Sequence, residues 1–248
     1  LSIQGGLGND RVVIDSTGGQ LSLASGIHFD GGTGNDSLLL QGSSVTTVTY
    51  TPGPAAGAGS VVHTGLATQS VTFANLEPVI DLVAGALVVN GTNAGNAINY
   101  TQGSVAANGL VGIDDLETIE FSNKSTLTIN ALGGDDVINL NNPTTPTGLT
   151  AITAHGGSPT ASDKLIVNGT TGNDTIGYNP SNTIGSGSVT VNAAPTVSFS
   201  TIEAVVIDGQ GGTDALTHTT PAGTHQVTYT PSSAPDSGTI TTRGAGSG

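Results

Sequence analysis

Short runs in which aliphatic and polar residues alternate recur along the whole chain. Alternation with a period of two is typical of a β-strand with one buried face. Gly, Asn and Asp are concentrated between these runs, where positive φ angles and side-chain-to-backbone hydrogen bonds favour tight turns. No long segment has the spacing of an amphipathic helix. The pattern therefore predicts an all-β protein.

One sequence box recurs: alternating aliphatics, a Gly-rich turn ending in Asp, and alternating aliphatics again. Its copies are LSIQGGLGNDRVVI (1–14), IHFDGGTGNDSLLL (27–40), LTINALGGDDVINL (127–140), LIVNGTTGNDTIGY (165–178), VVIDGQGGTDALTH (205–218) and a degenerate LVVNGTNAGNAINY (87–100). A second element, a strand leading to a glutamate, follows some boxes and carries Glu77, Glu117 and Glu203 at equivalent places. We expect these glutamates to face outward or to satisfy backbone amides at a corner; a second row of metal ligands is the alternative.

Longer repeats are superimposed on the boxes. The first two boxes are 26 residues apart, and residues 1–40 map onto 127–167, with a two-residue insertion near ITAHGGSPTASDKLIV. Such a unit cannot bury its apolar face alone, whereas stacked units build a continuous aliphatic core. Because the first box lacks its upstream half, we expect the chain to be a fragment or processed form of a longer protein.

These repeats predict a right-handed parallel β-helix, a β-solenoid with projecting loops. A spacing near 26 residues suits one coil of three short strands. We expect one such domain over 1–248, made of approximate superrepeats 1–126 and 127–248. Tandem antiparallel β-sandwich domains are the alternative, because a strand after a tight glycine turn also suits a hairpin.

Charge narrows the range of partners. The formal net charge is −14, and the chain has only four Lys plus Arg. Nucleic acids and anionic lipid surfaces are recognised by clustered cations, so this composition argues against both and favours cations as partners. The longest apolar stretch, VIDLVAGALVV from Val79, is short and interrupted, so we expect no membrane insertion. The absence of Cys excludes disulfides and thiol chemistry.

Two boxes carry a calcium motif. GGLGNDRVV (5–13) and GGTGNDSLL (31–39) match the nonapeptide G-G-x-G-x-D-aliphatic-x, and three other boxes match it in part. Here the chain resembles the hemolysin-type (RTX-like) calcium-binding repeat proteins, in particular large bacterial surface and secreted proteins with scattered GxxGND boxes within β-solenoids. The resemblance implies that the Asp carboxylates and turn carbonyls of boxes one coil apart bind Ca²⁺ together.

The resemblance also names the ligand candidates. The positions that match the family's turn and aspartate are Asp10, Asp36, Asn9, Asn35, Gly5, Gly8, Gly31, Gly34, Asp136, Asp174 and Asp214. Asp10 and Asp36 are the best pair, because they are predicted to lie one coil apart. Departures weaken the match elsewhere: Ala131 and Leu132 replace two glycines, and Asn96 replaces an Asp. The same sequence also suits a turn without metal, since Asn adopts left-handed φ and Asp bonds nearby amides.

Enzymatic function is the third hypothesis, because parallel β-helices also host polysaccharide lyases and hydrolases. Candidate groups are Asp114–Asp115, Asp135–Asp136 and His155. Only four cations and 3% aromatics accompany them, which is poor material for binding acidic sugars. The five histidines lack the spacing of a zinc site. We therefore expect no catalytic activity.

The favoured function is structural. We expect a secreted or cell-surface bacterial protein that acts as a rigid spacer, adhesin stalk or filament subunit and assembles end to end through its open coils. The alternative is a calcium-dependent RTX-like module that presents loops to a glycan or a surface protein.

Overall fold

The structure is a computed structural model, and it describes residues 1–158, 162–234 and 236–244. Within these ranges it contains strands, turns and bends but no helix, which confirms the predicted all-β class. It accordingly holds no helix there that is long and apolar enough to cross a membrane.

The strands, numbered in chain order, form two long sheets and one separate hairpin. The first sheet has 12 strands: β1 (Ser2–Leu7), β3 (Ile27–Thr33), β5 (Thr47–Pro52), β6 (Gly59–Thr64), β7 (Thr68–Ala74), β9 (Gly85–Asn90), β13 (Lys124–Asn130), β15 (Ala151–His155), β17 (Thr175–Pro180), β18 (Gly187–Val191), β19 (Thr196–Ser200) and β21 (Ala215–His218). The second has 9: β2 (Arg11–Ser16), β4 (Ser37–Gly42), β8 (Val79–Asp81), β10 (Ala97–Gln102), β11 (Gly109–Ile113), β12 (Ile119–Phe121), β14 (Val137–Asn141), β16 (Lys164–Asn168) and β20 (Ala204–Asp208). The hairpin is β22 (His225–Pro231) and β23 (Gly238–Gly244).

Each box carries the chain from one sheet to the other. The boxes at 1–14 and 27–40 run from the first sheet to the second, whereas those at 165–178 and 205–218 run from the second to the first. Corresponding strands of successive boxes pair in parallel, with Ile3 level with Phe29 in the first sheet. The sequence repeat therefore becomes a spatial repeat, because equal spacing brings equivalent residues into register.

Three antiparallel meanders interrupt the parallel pairing. They are β5–β6–β7 and β17–β18–β19 in the first sheet, and β10–β11–β12 in the second. In each meander the outer strands pair in parallel with strands outside the meander, as β7 does with β3 and β5 with β9. The spatial order of the sheets is β1-β3-β7-β6-β5-β9-β13-β15-β19-β18-β17-β21 and β2-β4-β8-β12-β11-β10-β14-β16-β20. Both sheets are therefore largely parallel but contain hairpin geometry at defined places.

One aliphatic core joins the two sheets from Ile14 to Ile202. Buried side chains alternate along the strands, as Leu87 and Val89 do in β9 and Ile138 and Leu140 in β14. Fully burying one such side chain stabilises the fold by about 1.5–3 kcal/mol. The sheets continue across residue 126, since β13 pairs with β9 and β14 with β10.

Candidate functional site

The box aspartates lie at the corner where the chain leaves the first sheet and enters the second. The backbone N–H of Asp10 donates to Asp36 Oδ1 at 2.6 Å. In the opposite direction, the backbone N–H of Asn35 donates to Asn9 Oδ1 at 2.9 Å. The two neighbouring turns are therefore joined by hydrogen bonds in both directions: each Gly-Asn-Asp turn donates one backbone N–H to the other turn and accepts one from it.

The same contact recurs along the second sheet. The N–H of Asn96 donates to Asp136 Oδ1 at 2.7 Å, and that of Asp136 donates to Asp163 Oδ1 at 2.9 Å. Sequence reasoning did not single out Asp163, because the two-residue insertion displaces it from the box spacing. The sequence signal for it is an Asp two residues before the aliphatic run LIV (165–167), as Asp10 and Asp36 stand before their own aliphatic runs.

The same kind of hydrogen bond occurs at the opposite corner, where the chain returns to the first sheet. The N–H of Asp174 donates to Asp214 Oδ1 at 2.9 Å, and the N–H of Thr213 donates to Asn173 Oδ1 at 2.8 Å. The boxes therefore form equivalent hydrogen bonds between neighbouring turns, whether the chain passes from the first sheet to the second or from the second to the first.

Glutamates replace the box Asp where no box leads into the corner. Glu77 Oε2 accepts from the N–H of Asp36 at 3.3 Å, and Glu203 Oε2 accepts from that of Asp163 at 2.8 Å. Glu117 lies beside Glu77, but its Oε1 accepts from the N–H of Thr118 at 2.9 Å. We call the set of side chains at this edge of the second sheet the corner row. Its members, in spatial order, are Asp10, Asp36, Glu77, Glu117, Asn96, Asp136, Asp163 and Glu203.

Box glycines make room for the neighbouring turn. A Cβ on Gly31 would collide with the carbonyl oxygen of Asn75 and lie 2.6 Å from Asp36 Oδ2. A Cβ on Gly34, whose φ is 139°, would collide with the backbone carbonyl oxygen of Gly8. In the copy that lacks these glycines, Leu132 adopts a φ of 80°, a conformation that costs an L-residue about 1–2 kcal/mol. Close approach of backbones therefore accounts for the glycines.

Electrostatics along the corner row favour the protonated form of several carboxyls. Burial raises the pKa of Asp136 to about 6, and the carboxylates of Asp163, Asp114 and Asp135 add to the effect. Burial likewise raises the pKa of Glu117 to about 7, with Glu77 contributing. Asp36 and Asp136 are fully buried.

Four carboxylates of the corner row each have one buried oxygen without a hydrogen-bond donor. These atoms are the Oδ2 oxygens of Asp10, Asp36, Asp136 and Asp163. Calcium takes six to eight oxygen ligands, so an ion there would need backbone carbonyls in addition. Among the described residues, no three Asp, Glu or His side chains are grouped so that they could hold a metal ion. The predicted pair Asp10 and Asp36 does lie together, but Asp36 Oδ1 already accepts the backbone N–H of Asp10.

The structure contains a buried charged cluster that no sequence pattern predicts. Asp81 is fully buried and contacts two side chains: Lys124 Nζ lies 2.7 Å from its Oδ1, and His63 Nε2 lies 2.6 Å from its Oδ2. Burial alone would raise the pKa of Asp81, but Lys124 and His63 hold it below its ordinary value. Burial lowers the pKa of Lys124, and Asp81 opposes this. The three residues are far apart in the chain and have no shared motif, so only the fold joins them.

The residues considered for catalysis make local hydrogen bonds, with Asp114 and Asp135 near Asp136 and His155 in the first sheet. Asp114 accepts from Asn96 Nδ2 and from the N–H of Ala97, both at 2.8 Å, and so belongs to a corner. Asp135 accepts from the Ser162 hydroxyl. His155 Nδ1 lies 2.6 Å from Ser200 Oγ, within the first sheet. These contacts are local links between neighbouring strands.

No protein-family model matches the chain, and searches of curated proteins and of solved structures give no match.

Proposed function

We propose that this protein is a structural β-solenoid, a right-handed parallel β-helix that serves as a rigid spacer or filament subunit on a bacterial cell surface or in its matrix. The observation that carries this proposal is the corner row, in which carboxylates accept backbone N–H groups from the neighbouring strand. These acidic side chains form hydrogen bonds that join one strand to the next. Such use suits a protein whose task is to keep its shape.

The mechanism is mechanical. Strand pairing, the shared aliphatic core and the corner hydrogen bonds all link neighbouring coils, so a load along the axis is spread over many contacts. Hydrogen bonds to charged groups contribute about 1.5–3 kcal/mol each. End-to-end assembly through the open strands β1 and β2 of one molecule and the far end of another would extend the rod.

Single-molecule pulling between the two ends tests this proposal. A spacer should unfold in successive steps at forces well above those of a loosely paired sheet, and Asp36→Ala should lower the first of them. One low-force event that releases the whole chain would contradict the proposal. Sedimentation at rising concentration tests end-to-end assembly separately, and a monomer throughout would remove that part.

A calcium-dependent module that presents loops to a glycan or a protein is the second candidate. The unpartnered Oδ2 atoms of Asp10 and Asp36 favour it, because buried oxygens without donors suit a cation. These two carboxylates with nearby turn carbonyls would hold the ion, which would link neighbouring coils.

Melting with and without chelator separates the two candidates. Ligand that binds only the folded state raises the melting temperature by mass action. The spacer proposal expects the same melting temperature in EDTA and in millimolar Ca²⁺. A rise of many degrees with Ca²⁺, lost in an Asp10→Asn and Asp36→Asn double variant, would favour the calcium module instead.

A further inference from the structure

The hairpin β22–β23 repeats two strands of a meander. Its VTYTP (227–231) is identical to VTYTP (48–52) of β5. The pairing is also the same, since Tyr50 faces Val61 in β6 and Tyr229 faces Ile240 in β23. In the meander at β5, a third strand, β7, then pairs with β6. Among the described residues, β23 pairs with β22 alone.

Identical side chains have opposite exposure in the two copies. Val48 and Tyr50 are 0% exposed, whereas Val227 is 47% and Tyr229 is 61% exposed. The local sequence cannot cause this difference, so it comes from the neighbours. The hairpin has an apolar face with the composition of a core.

An aromatic partner completes each of the three meanders. A tyrosine of the first strand stacks on a phenylalanine of the third, with ring centroids 6.5 Å apart for Tyr50–Phe73, 6.2 Å for Tyr100–Phe121 and 6.3 Å for Tyr178–Phe199. A glycine of the middle strand stands opposite each phenylalanine: Gly59, Gly109 and Gly187.

The hairpin has the tyrosine and the glycine but no such phenylalanine. A Cβ on Gly238 would lie 2.5 Å from the Tyr229 ring, much as a Cβ on Gly109 would lie 2.9 Å from the Tyr100 ring. Tyr229 stacks on no aromatic ring in the described part of the chain.

The hairpin faces an unpaired edge of the second sheet. Strand β20 ends the second sheet and pairs there only with β16. Its inward residues Val205 and Ile207 are only partly buried, in contrast to Leu165 and Val167 of β16. A cleft of about 480 Å³ separates β20 from β23 and is lined by both strands.

We propose that this cleft binds one extended β-strand of another polypeptide, with the pattern Glu-x-aliphatic-x-Phe. The strand would lie parallel to β20 and antiparallel to β23, as β12 lies between β8 and β11 in the same sheet. Its aliphatic residue would lie level with Val205, and its Phe would stand opposite Gly238 and stack on Tyr229. The strands of this chain that hold the equivalent place, β7, β12 and β19, are already paired on both sides.

The edge of a second folded copy does not fit this cleft. A strand between β20 and β23 must form hydrogen bonds on both sides, whereas β2 already uses one side to pair with β4. A lone segment is therefore the occupant. This inference does not depend on the proposed spacer function.

Titration of the full chain with a peptide of its own third-strand sequence, DLETIEFSNK (115–124), tests the proposal. Aromatic pairing and burial of the Phe ring both strengthen binding. We expect saturable binding by fluorescence anisotropy of the labelled peptide, and at least tenfold weaker binding when its Phe121 is replaced by Ala. The protein variant Tyr229→Ser should weaken binding of the original peptide similarly.

Leu7→Ser provides a matched control, because Leu7 is 88% exposed at the opposite end of the first sheet. It should bind the peptide as the wild type does. Circular dichroism melting checks that Tyr229→Ser still folds. Absence of binding, or equal binding by Tyr229→Ser, would overturn the proposal. So would concentration-dependent dimers that Tyr229→Ser abolishes, since the cleft would then be a contact between copies.

Discussion

At the scale of single residues, several corner aspartates act as acceptors between strands. The carboxylates of Asp36, Asp163 and Asp214 each accept the backbone N–H of the aspartate at the neighbouring corner and so satisfy a donor that the sheet ladder leaves free. Leaving such a donor unpaired is costly when it is buried. The calcium motif and the hydrogen bonds between corners involve the same residues, because both need oxygens that converge on a turn.

Replacing Asp36 by Ala should therefore destabilise the fold by about 1.5–3 kcal/mol, because the Asp10 N–H loses a charged acceptor. Asp214→Ala is the matched control: it removes the same contact at an exposed corner, and its effect should be clearly smaller. Urea unfolding measures both free energies. Equal losses would show that burial of the corner does not matter.

The buried cluster should be sensitive to loss of one charge. Lys124→Met removes the ammonium group that contacts Asp81, and breaking a buried ion pair costs about 3–5 kcal/mol. Lys164→Met, at a partly exposed position, should change the free energy of unfolding little. Denaturant titrations of both variants provide the comparison. A small loss of unfolding free energy in Lys124→Met would contradict a structural role for the pair.

Glu117 should make stability depend on pH. Burial, with Glu77 nearby, raises its folded-state pKa to about 7 from an ordinary 4.5, so the folded protein holds this proton more tightly than the unfolded chain. Its contribution is complete below about pH 4.5 and is lost as the pH rises through 7. Unfolding free energies measured between pH 5 and 8 should fall with pH. Glu117→Gln should flatten that slope, and an unchanged slope would assign it to other groups.

At the scale of elements, the meander is built around a glycine beneath two aromatic rings. A Cβ on Gly109 would lie 2.6 Å from the Phe121 ring and 2.9 Å from the Tyr100 ring. A small residue in the middle strand thus lets the outer strands stack their rings. In the other two meanders a Cβ on the middle-strand glycine would likewise meet the phenylalanine ring, at 2.7 Å for Gly59 and 2.8 Å for Gly187, and the tyrosine and phenylalanine stack in all three.

Two glycines of the same strand, β11, allow a matched test. Gly109→Ala should cost about 1–3 kcal/mol through overpacking. Gly112→Ala should be nearly neutral, because the nearest atom to its added Cβ is a Thr118 methyl at 3.5 Å. Thermal melts of the two variants decide the matter, and similar melting temperatures would argue against the aromatic constraint.

At the scale of the whole molecule, charge is unbalanced. The net charge is −14, and the corner row places carboxylates on adjacent strands. Exposed like charges repel one another, and salt screens the repulsion with a Debye length of about 10 Å at 0.1 M.

Sodium chloride should therefore raise the melting temperature between about 10 and 300 mM, over which screening becomes effective. Sodium sulfate at equal ionic strength controls for the identity of the anion. A fall in melting temperature with salt would show that attractive pairs, not repulsion, dominate. Millimolar CaCl₂ that acts far beyond its ionic strength would point to specific binding.

Local chemistry was sufficient to predict the strands and their corners. Alternation with a period of two and the Gly-Asn-Asp turns depend on neighbouring residues, so the all-β class follows from the sequence, and Asp10 and Asp36 meet as predicted. The meanders were not predicted, because a strand's edge pattern does not say which neighbour pairs with it or in which direction.

Only the tertiary structure decided what lies next to what. It joined His63, Asp81 and Lys124, which no sequence spacing relates, and placed Asp163 in the corner row despite an insertion. It also made one VTYTP segment buried and the other exposed. Burial is a property of neighbours distant in the chain, and for that physical reason identical sequences in this protein have different environments.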